Sequence, residues 1–282
     1  MNYRHGFHAG NFADVVKHAI LARILVYLST KPAAFRVLDT HAGAGLYDLE
    51  SDEATRGGEW QAGIARLRQA QLDPAAVAML APYLAAIDAV NVSGVRRFYP
   101  GSPLIARALL RRQDRLTACE LEPNAAAALS EELRGDTGVK AIAIDGWTAL
   151  KAYLPPKERR GLVVIDPPFE DPDEFARLAD ALAMAHRKWP TGIMLVWYPI
   201  KRRADADRFV QQMRQAGLRD ALNVDFSIGE VRVDARLVAC GLVVINPPWT
   251  LEGELETLLP ALAAALGQGS GGFQIERLAG QK

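Results

Sequence analysis

The sequence predicts an open α/β fold, in which a mostly parallel, doubly wound sheet is covered by helices on both faces. Short, continuous apolar runs recur along the chain, as expected for strands that are buried on both sides. Helical patterns separate most of these runs, which is typical of strand-helix-strand units. The predicted strands are residues 35–38, 116–119, 139–144, 162–165, 193–198 and 237–245, and the helices between them include 123–134, 173–188 and 204–216.

The first predicted helix, residues 11–30, has an amphipathic pattern and precedes the first strand. The interval between the first two strands is too long for a simple crossover, which needs only about a dozen residues. It is rich in Ala, Leu, Arg and Gln. We therefore predict one domain over residues 1–282 with a helical insertion at about residues 49–99. The strand that ends at Ile245 is predicted to be an antiparallel edge strand.

Composition places the chain among ordinary globular proteins. Of its 282 residues, 50% are hydrophobic and 23% are charged, which excludes disordered and fibrous classes. No apolar run approaches the roughly 20 residues of a membrane helix, and the N-terminus lacks a signal-peptide pattern. A cytoplasmic protein without a membrane partner is expected. Cys119 and Cys240 lie in apolar runs and are predicted to be buried, reduced thiols.

The charges balance, with 33 basic and 33 acidic residues. A strongly basic total, the simplest sign of nucleic-acid binding, is therefore absent, and any basic surface must be local. Basic residues, most of them arginines, form clusters at residues 96–97, 107–115, 159–160 and 201–203. Arginine suits phosphate recognition, but solvated helix faces explain each single cluster equally well.

Acidic residues follow four successive predicted strands: Asp39, Glu120, Asp145 and Asp166. A single acid in this position is usually a helix N-cap or a turn residue. Four in order predict a crevice at the carboxyl edge of the sheet, where such folds bind nucleotides. Glu120 is placed to accept hydrogen bonds from ribose hydroxyls, and Asp145 with Gly146 is placed to meet an adenine ring.

The loop after the first strand contains Gly43 and Gly45. Two glycines let a backbone approach a ligand closely. Gly43 is therefore a candidate cofactor contact, although the spacing is not the full dinucleotide fingerprint and the signal is weak.

The sharpest motif is Asp166-Pro167-Pro168-Phe169, directly after Val163-Val164-Ile165. Such a rigid turn can hold a carboxylate, a proline carbonyl and a ring around one planar group. The Asp166 carboxylate and the Pro167 carbonyl would accept the two hydrogens of an exocyclic amine, while Phe169 stacks on a flipped base. Holding both hydrogens localises the nitrogen lone pair that a methyl transfer from a sulfonium requires.

A second, similar motif is Asn246-Pro247-Pro248-Trp249. We expect the first motif to be the functional one, because Asp166 ends the fourth strand of the acidic series, whereas Asn246 follows a late strand that is predicted to be antiparallel. A plain strand-to-loop turn is the alternative interpretation of either motif.

Most histidines lie near the start of the chain: His5, His8, His18 and His41. Zinc is one interpretation, but no second cysteine or acidic cluster accompanies them at ligand spacing, so no metal is predicted. We predict instead that residues 1–18 fold over the crevice. Lys17 and His18 would reach a cofactor carboxylate, and the two catalytic candidates Tyr3 and His5 would lie near the target base.

These motifs together resemble the RlmJ family, bacterial 23S ribosomal RNA adenine-N6 methyltransferases that use S-adenosylmethionine. The resemblance covers nearly the whole chain. It rests on Tyr3-Arg4-His5-Gly6-Phe7-His8-Ala9-Gly10-Asn11, Leu38-Asp39-Thr40-His41-Ala42-Gly43-Ala44-Gly45, Tyr99-Pro100-Gly101-Ser102-Pro103 and the two proline motifs.

The resemblance implies a Rossmann-like methyltransferase fold with an inserted helical subdomain. It also implies S-adenosylmethionine as cofactor and 23S ribosomal RNA as partner, which we expect to be protein-free or early in assembly and bound by a monomer. The implied cofactor contacts are His18, His41, Ser102, Glu120, Asp145, Gly146 and Asp166, of which Asp166 is also catalytic. Two residues depart from the broader methyltransferase pattern: His41 replaces the usual first glycine, and Phe169 replaces a common tyrosine.

Two other functions stay open at this point. A DNA adenine methyltransferase would hold the same flipped base, because the 2′-hydroxyl leaves no motif here. A module that binds cofactor or nucleic acid without turnover, such as a DNA-uptake factor, is the other alternative. The intact Asp166 and the complete acidic series favour an enzyme.

Overall fold

An eight-stranded sheet forms the centre of the molecule, and a separate two-stranded sheet lies beside it. The computed structural model describes residues 4–232 and 236–278. The strands are β1 (Arg36–Asp39), β2 (Leu46–Asp48), β3 (Phe98–Pro100), β4 (Arg115–Glu120), β5 (Val139–Ala143), β6 (Gly161–Ile165), β7 (Ile193–Pro199), β8 (Ala221–Ser227), β9 (Ala239–Ile245) and β10 (Gly272–Arg277). The helices are α1 (Phe12–Ser29), α2 (Asp52–Gly57), α3 (Arg66–Gln69), α4 (Pro74–Ala89), α5 (Ser102–Leu109), α6 (Pro123–Glu132), α7 (Gly146–Tyr153), α8 (Glu174–Lys188), α9 (Arg203–Gln215) and α10 (Leu251–Leu266).

The strands of the large sheet lie in the order β10-β8-β9-β7-β6-β1-β4-β5. The pairs from β7 through β6, β1 and β4 to β5 are parallel, whereas β9 is antiparallel to both β7 and β8, and β10 to β8. The predicted strands are all present and the mostly parallel, doubly wound sheet is confirmed.

Two halves of the hydrophobic core lie on opposite faces of the sheet. Alternate residues of one strand enter different halves: Leu162 and Val164 pack with α1 and α10, while Val163 and Ile165 pack with α7, α8 and α9. Because both faces are covered, every position of such a strand must be apolar. This is why the central strands read as continuous apolar runs.

Helix α1 is buried on nearly all sides, so the amphipathic pattern predicted for it is wrong. Fourteen of its 18 residues are buried. The helix contacts β9 on one side and α4, α5 and α10 on others, which leaves little of its surface in water. Asn11 caps its first turn by accepting a hydrogen bond from the Asp14 amide at 2.9 Å.

The prediction of β9 as an edge strand is also wrong. The strand is antiparallel as predicted, but it lies between β7 and β8, and β10 forms the edge. Strands β8 and β10 were not predicted from the sequence. In β8, the apolar residues Leu222, Val224 and Phe226 alternate with polar residues, of which Asn223 is also buried. A search for continuous apolar runs does not find this alternating pattern.

The segment between β1 and β4 contains α2, α3 and α4, together with a π-helical turn at Gln61–Ala65. Strands β2 and β3 enclose these helices as an antiparallel pair, in which Leu46 lies opposite Pro100. Helix α5 then makes the crossover to β4. The helices predicted for the insertion are thus present, and the two short strands that join its ends were not predicted.

In the described part of the chain, no helix is both long enough and apolar enough to cross a bilayer. Cys119 and Cys240 are buried free thiols, as predicted.

Candidate active site

The four acids of the sequence analysis lie at one edge of the sheet. Strands β6, β1, β4 and β5 are neighbours, so Asp166, Asp39, Glu120 and Asp145 follow one another along their carboxyl ends. A cleft of about 490 Å³ opens there, a volume within the range of small-molecule sites. Its lining is Arg4, His5, Gly6, Lys17, His18, His41, Ala42, Gly43, Ala44, Tyr47, Glu53, Gly101, Ser102, Glu120, Glu122, Asn124, Ala125, Asp166 and Pro168.

Three backbone amides fix the Glu120 carboxylate at the mouth of β4. Gly43 donates to Oε2, and Leu121 and Glu122 donate to Oε1, each at 2.8 Å. Gly43 has a φ of +64°, and a Cβ at this position would lie 2.1 Å from the hydroxyl oxygen of Tyr47. Glycine is therefore required in this loop. A carboxylate oxygen accepts more than one hydrogen bond, so Glu120 retains capacity for the hydroxyls of a ligand.

Asp39 lies beneath the cleft. Its side chain is buried and accepts a hydrogen bond from Ser102 Oγ at 2.6 Å. Burial raises the pKa of Asp39 from its ordinary value of 3.8 to about 7, against the opposing effects of Ser102 and Lys17. Ser102, at the first turn of α5, lies on the cleft wall. Asp39 thus positions Ser102 and belongs to the layer below the lining.

Asp145 and Gly146 do not line the cleft. Asp145 is the N-cap of α7 and accepts hydrogen bonds from the amide and hydroxyl of Thr148, both at 2.8 Å. A Cβ on Gly146 would lie 2.8 Å from the His41 ring, so His41 separates this corner from the cleft. Burial lowers the pKa of His41 from 6.5 to about 4. The ring is neutral at physiological pH.

A buried ion-pair network connects α1 to the end of β6. The ammonium of Lys17 hydrogen-bonds Asp166 Oδ2 and lies 2.9 Å from Asp14 Oδ1. Burial lowers the pKa of Lys17, but the two carboxylates outweigh it and raise the pKa well above its ordinary value. Lys17 stays charged and orients Asp166, whose Oδ1 makes no hydrogen bond to any of the described residues.

The segment before α1 closes one side of the cleft. His5 lies in a 3-10 turn and its Nε2 is 3.0 Å from Asp14 Oδ2, which also accepts the Gly10 amide at 3.0 Å. Burial acts to raise the pKa of Asp14, but His5, Lys17 and His18 hold it well below its ordinary value. The structure therefore places His5 beside the Lys17 and Asp166 pair. Tyr3, the other residue predicted near the target base, lies outside the described residues.

The His18 ring is buried beside two buried tyrosines. Its Nδ1 lies 2.8 Å from the hydroxyl of Tyr99, which in turn lies 3.0 Å from the hydroxyl of Tyr83. Burial lowers the pKa of His18 to about 3, so the ring is neutral. Its Nε2 is buried and has no hydrogen-bond partner in the described part of the chain, which leaves one polar atom for a ligand.

The Asp166 motif contains a strained backbone position at Phe169, and aromatic packing holds the Phe169 ring in place. Phe169 has a φ of +51°, which is rare for a bulky residue and concentrates at functional sites. Its ring packs against Phe175 at 5.0 Å and Trp197 at 5.9 Å between ring centroids. Pro168 lies on the cleft wall, and Phe169 is half-buried next to it.

The similar motif at Asn246 lies at the opposite edge of the sheet. Because β9 is antiparallel to β7, its last residue, Ile245, pairs with Met194 near the start of β7. The Asn246 side chain donates to the carbonyls of Pro190 and Gly192 at 2.9 and 2.7 Å, which holds a turn together. Because β9 runs in the opposite direction to β7, this motif lies away from the cleft.

Two further residues of the site, Asp14 and Tyr47, were not predicted from the sequence. Asp14 is 3% exposed and joins His5, Lys17 and the Gly10 amide. The available signal was its spacing of three residues before Lys17, which places both on one face of a helix. Tyr47 lies in the short strand β2, and its hydroxyl accepts the Ala44 amide at 3.1 Å. No pattern of the sequence indicated that strand.

Comparison with known proteins identifies the family. A family model described as "Ribosomal RNA large subunit methyltransferase D, RlmJ" matches residues 32–279. The "Ribosomal RNA large subunit methyltransferase J" of Escherichia coli K12 is 41% identical over 266 residues, 94% of either chain. The Haemophilus influenzae protein of the same name is 39% identical over 278 residues, 98% of either chain. The chain belongs to the RlmJ family.

Solved structures share the fold of this chain. A Legionella pneumophila protein, 34% identical, superposes with a TM-score of 0.87 over 98% of this chain and 99% of its own. A probable spermidine synthase from Corynebacterium glutamicum, 13% identical, gives a TM-score of 0.52 over 94% of this chain and 75% of its own. At that identity only the fold is shared. This RlmJ family member is a methyltransferase with a Rossmann-like fold.

Proposed function

We propose that the chain transfers a methyl group from S-adenosylmethionine to the N6 amine of an adenine in 23S ribosomal RNA. The observation that carries this proposal is the Lys17-oriented Asp166 carboxylate at the end of β6, in the wall of the cleft and at the start of the Asp-Pro-Pro-Phe turn. The names of the E. coli and H. influenzae relatives support ribosomal RNA as the substrate.

The residues of the cleft fit a nucleoside with an amino-acid tail. Glu120 would accept the ribose hydroxyls, and the buried Nε2 of His18 and the hydroxyl of Ser102 are polar groups for the tail. His41, neutral and packed edge-on against Trp147 at 5.2 Å, would border the adenine ring with Asp145 and Gly146 behind it. When bound, S-adenosylmethionine supplies a methyl group on a positively charged sulfur.

Asp166 carries the chemistry on the acceptor side. With Oδ2 held by Lys17, Oδ1 can accept one hydrogen of the adenine N6 amine, and the Pro167 carbonyl can accept the other. The nitrogen lone pair would then be directed at the methyl group that bound S-adenosylmethionine supplies. The amine would retain the methyl group and release one of its hydrogens to water as a proton. Alignment of this kind can lower a barrier by ~7–11 kcal/mol.

We expect the target base to be extruded into the cleft. The Asp166 side chain is 18% exposed, and an adenine that leaves its stack would reach it more readily than one inside a helix. The half-buried Phe169 ring, which packs against Phe175 and Trp197, would stack on that base. His5 also lines the cleft, and its contact with Asp14 connects it to Lys17.

Methyl transfer to deproteinised 23S ribosomal RNA, with DNA of matched length as the alternative acceptor, tests the proposal. We expect label from tritiated S-adenosylmethionine in RNA, recovered as N6-methyladenosine after digestion to nucleosides. Label in DNA alone would favour the DNA methyltransferase. Donor binding without label in either polymer would overturn the enzyme assignment and favour a binding module.

A further inference from the structure

The cleft cannot by itself attract a polyanion. Its charged lining comprises four acids, Glu53, Glu120, Glu122 and Asp166, against Arg4 and Lys17, and two of its histidines, His18 and His41, are neutral. The whole chain carries equal numbers of basic and acidic residues. Because phosphate contacts dominate the affinity of proteins for nucleic acid, an RNA substrate requires a basic surface elsewhere.

Such a surface lies at the amino edge of the sheet, opposite the cleft. The loops that enter β1, β4 and β6 meet there, since Arg36 pairs with Arg115 on one side and with Gly161 on the other. These loops carry eight basic side chains and two acidic ones, a local excess of six positive charges. The basic residues are Lys31, Arg36, Arg111, Arg112, Arg115, Lys157, Arg159 and Arg160, and the acidic ones are Asp114 and Glu158.

Four of the basic residues have structural partners that hold the loops together. Arg111 donates to Asp114 and to the carbonyls of Ser29, Lys31 and Ala33 at 2.6 to 3.1 Å. Arg160 donates to the carbonyls of Leu28 and Ala33, Arg36 pairs with Glu158, and Arg115 donates to backbone carbonyls. The clustering of these four arginines in the sequence is therefore explained by their contacts within and between the loops.

The remaining four, Lys31, Arg112, Lys157 and Arg159, are exposed. Within residues 4–232 and 236–278, none of the four lies within ion-pair distance of an acid. The only acids of these loops, Asp114 and Glu158, are already paired with Arg111 and Arg36. We refer to Lys31, Arg112, Lys157 and Arg159 as the amino-edge patch.

We propose that the amino-edge patch is a second RNA-binding surface, which holds the phosphate backbone of the substrate RNA away from the modified base. This proposal rests on the proposed function. Fixed loops with free cationic side chains suit contacts that position a nucleic acid without reading its sequence. Strand β6 has five residues, so the two edges are roughly 17 Å apart. Lys140 is exposed on the edge strand β5, and an RNA that spans the two edges of the sheet would pass beside it.

The test replaces all four residues of the patch by glutamine: Lys31→Gln, Arg112→Gln, Lys157→Gln and Arg159→Gln. Binding to a folded 23S ribosomal RNA fragment and to a minimal hairpin with the target adenine is measured over a range of salt concentrations. Each phosphate contact contributes about 0.7–0.9 to the slope of log affinity against log salt, so we expect the slope for the fragment to fall by about 3. We expect the KM for the fragment to rise at least about tenfold, and kcat to be unchanged.

A matched control removes four exposed positive charges outside the patch: Arg56→Gln, Arg66→Gln, Arg208→Gln and Arg232→Gln. It should retain the parental salt slope for the fragment. Equal losses in both variants would assign the effect to net charge and overturn the proposal, as would a patch variant that binds the fragment like the parent. Methylation of the hairpin by the parent tests the proposed function separately, because the hairpin does not reach the patch.

Thermal unfolding of each variant distinguishes a loss of folding from a loss of RNA binding. If the fourfold variant unfolds early, the pair Arg112→Glu and Lys157→Glu, on two separate exposed loops, replaces it. This pair should weaken fragment binding and leave hairpin methylation unchanged, and unchanged fragment binding would contradict the patch.

Discussion

Lys17 donates a hydrogen bond to Asp166 across 149 positions of sequence, and so the first helix carries part of the site at the end of the fourth parallel strand. The same ammonium contacts Asp14, which holds His5. The buried ammonium of Lys17 thus links Asp166, helix α1 and, through Asp14, the segment before α1 that contains His5.

Replacing Lys17 by methionine should destabilise the fold. The variant leaves Asp14 and Asp166 without their cation, and loss of one partner of a buried ion pair costs about 3–5 kcal/mol. Denaturant unfolding measures the loss. The double variant Lys17→Met with Asp14→Asn should lose less than the sum of the two single changes, and strict additivity would show that the pair is not coupled.

Replacing Asp39 by asparagine should stabilise the protein in a pH-dependent way. Because burial raises the folded pKa to about 7 from 3.8, the stability associated with the protonated acid is fully present below pH 3.8 and is lost as the pH rises through 7. Asparagine retains the acceptor for Ser102 and avoids the buried charge. The gain in unfolding temperature should therefore be larger at pH 8 than at pH 5, and an equal gain at both would contradict the raised pKa.

His18 should remain neutral far below the usual range of histidine. Its pKa is lowered by burial to about 3, so the stability it contributes is complete above pH 6.5 and is lost as the pH falls from there toward 3. Its ring proton resonances should not titrate between pH 8 and pH 5 in NMR spectra. A midpoint near 6.5 would mean that His18 is accessible to water.

Asn246→Ala should retain methyl transfer, because Asn246 lies at the amino edge and bonds only to backbone carbonyls there. Its loss removes two hydrogen bonds, each worth about 1 kcal/mol, so a lower unfolding temperature is expected with normal kcat. A folded but inactive Asn246→Ala protein would reverse the choice between the two proline motifs.

The central strands and the meeting of the four acids follow from the sequence, because buried parallel strands are continuously apolar and their carboxyl ends share one edge. Strands β8 and β10 do not follow from the sequence, because they lack continuous apolar runs. Without them, β9 was wrongly predicted to be the edge strand of the sheet. The spacing of Asp14 and Lys17 predicts that they share one face of α1, but the contact of Asp14 with His5 could not be predicted, since it depends on how α1 packs over the sheet. The same packing explains why α1 is not amphipathic.

Single-turnover methyl transfer by Asp166→Ala, with S-adenosylmethionine binding measured on the same protein, tests the central claim most directly. If Asp166 acts on the acceptor amine, the variant should bind S-adenosylmethionine within a few-fold of the parent, while transfer to 23S ribosomal RNA falls by about 100-fold or more. Transfer at the parental rate by Asp166→Ala would contradict the account.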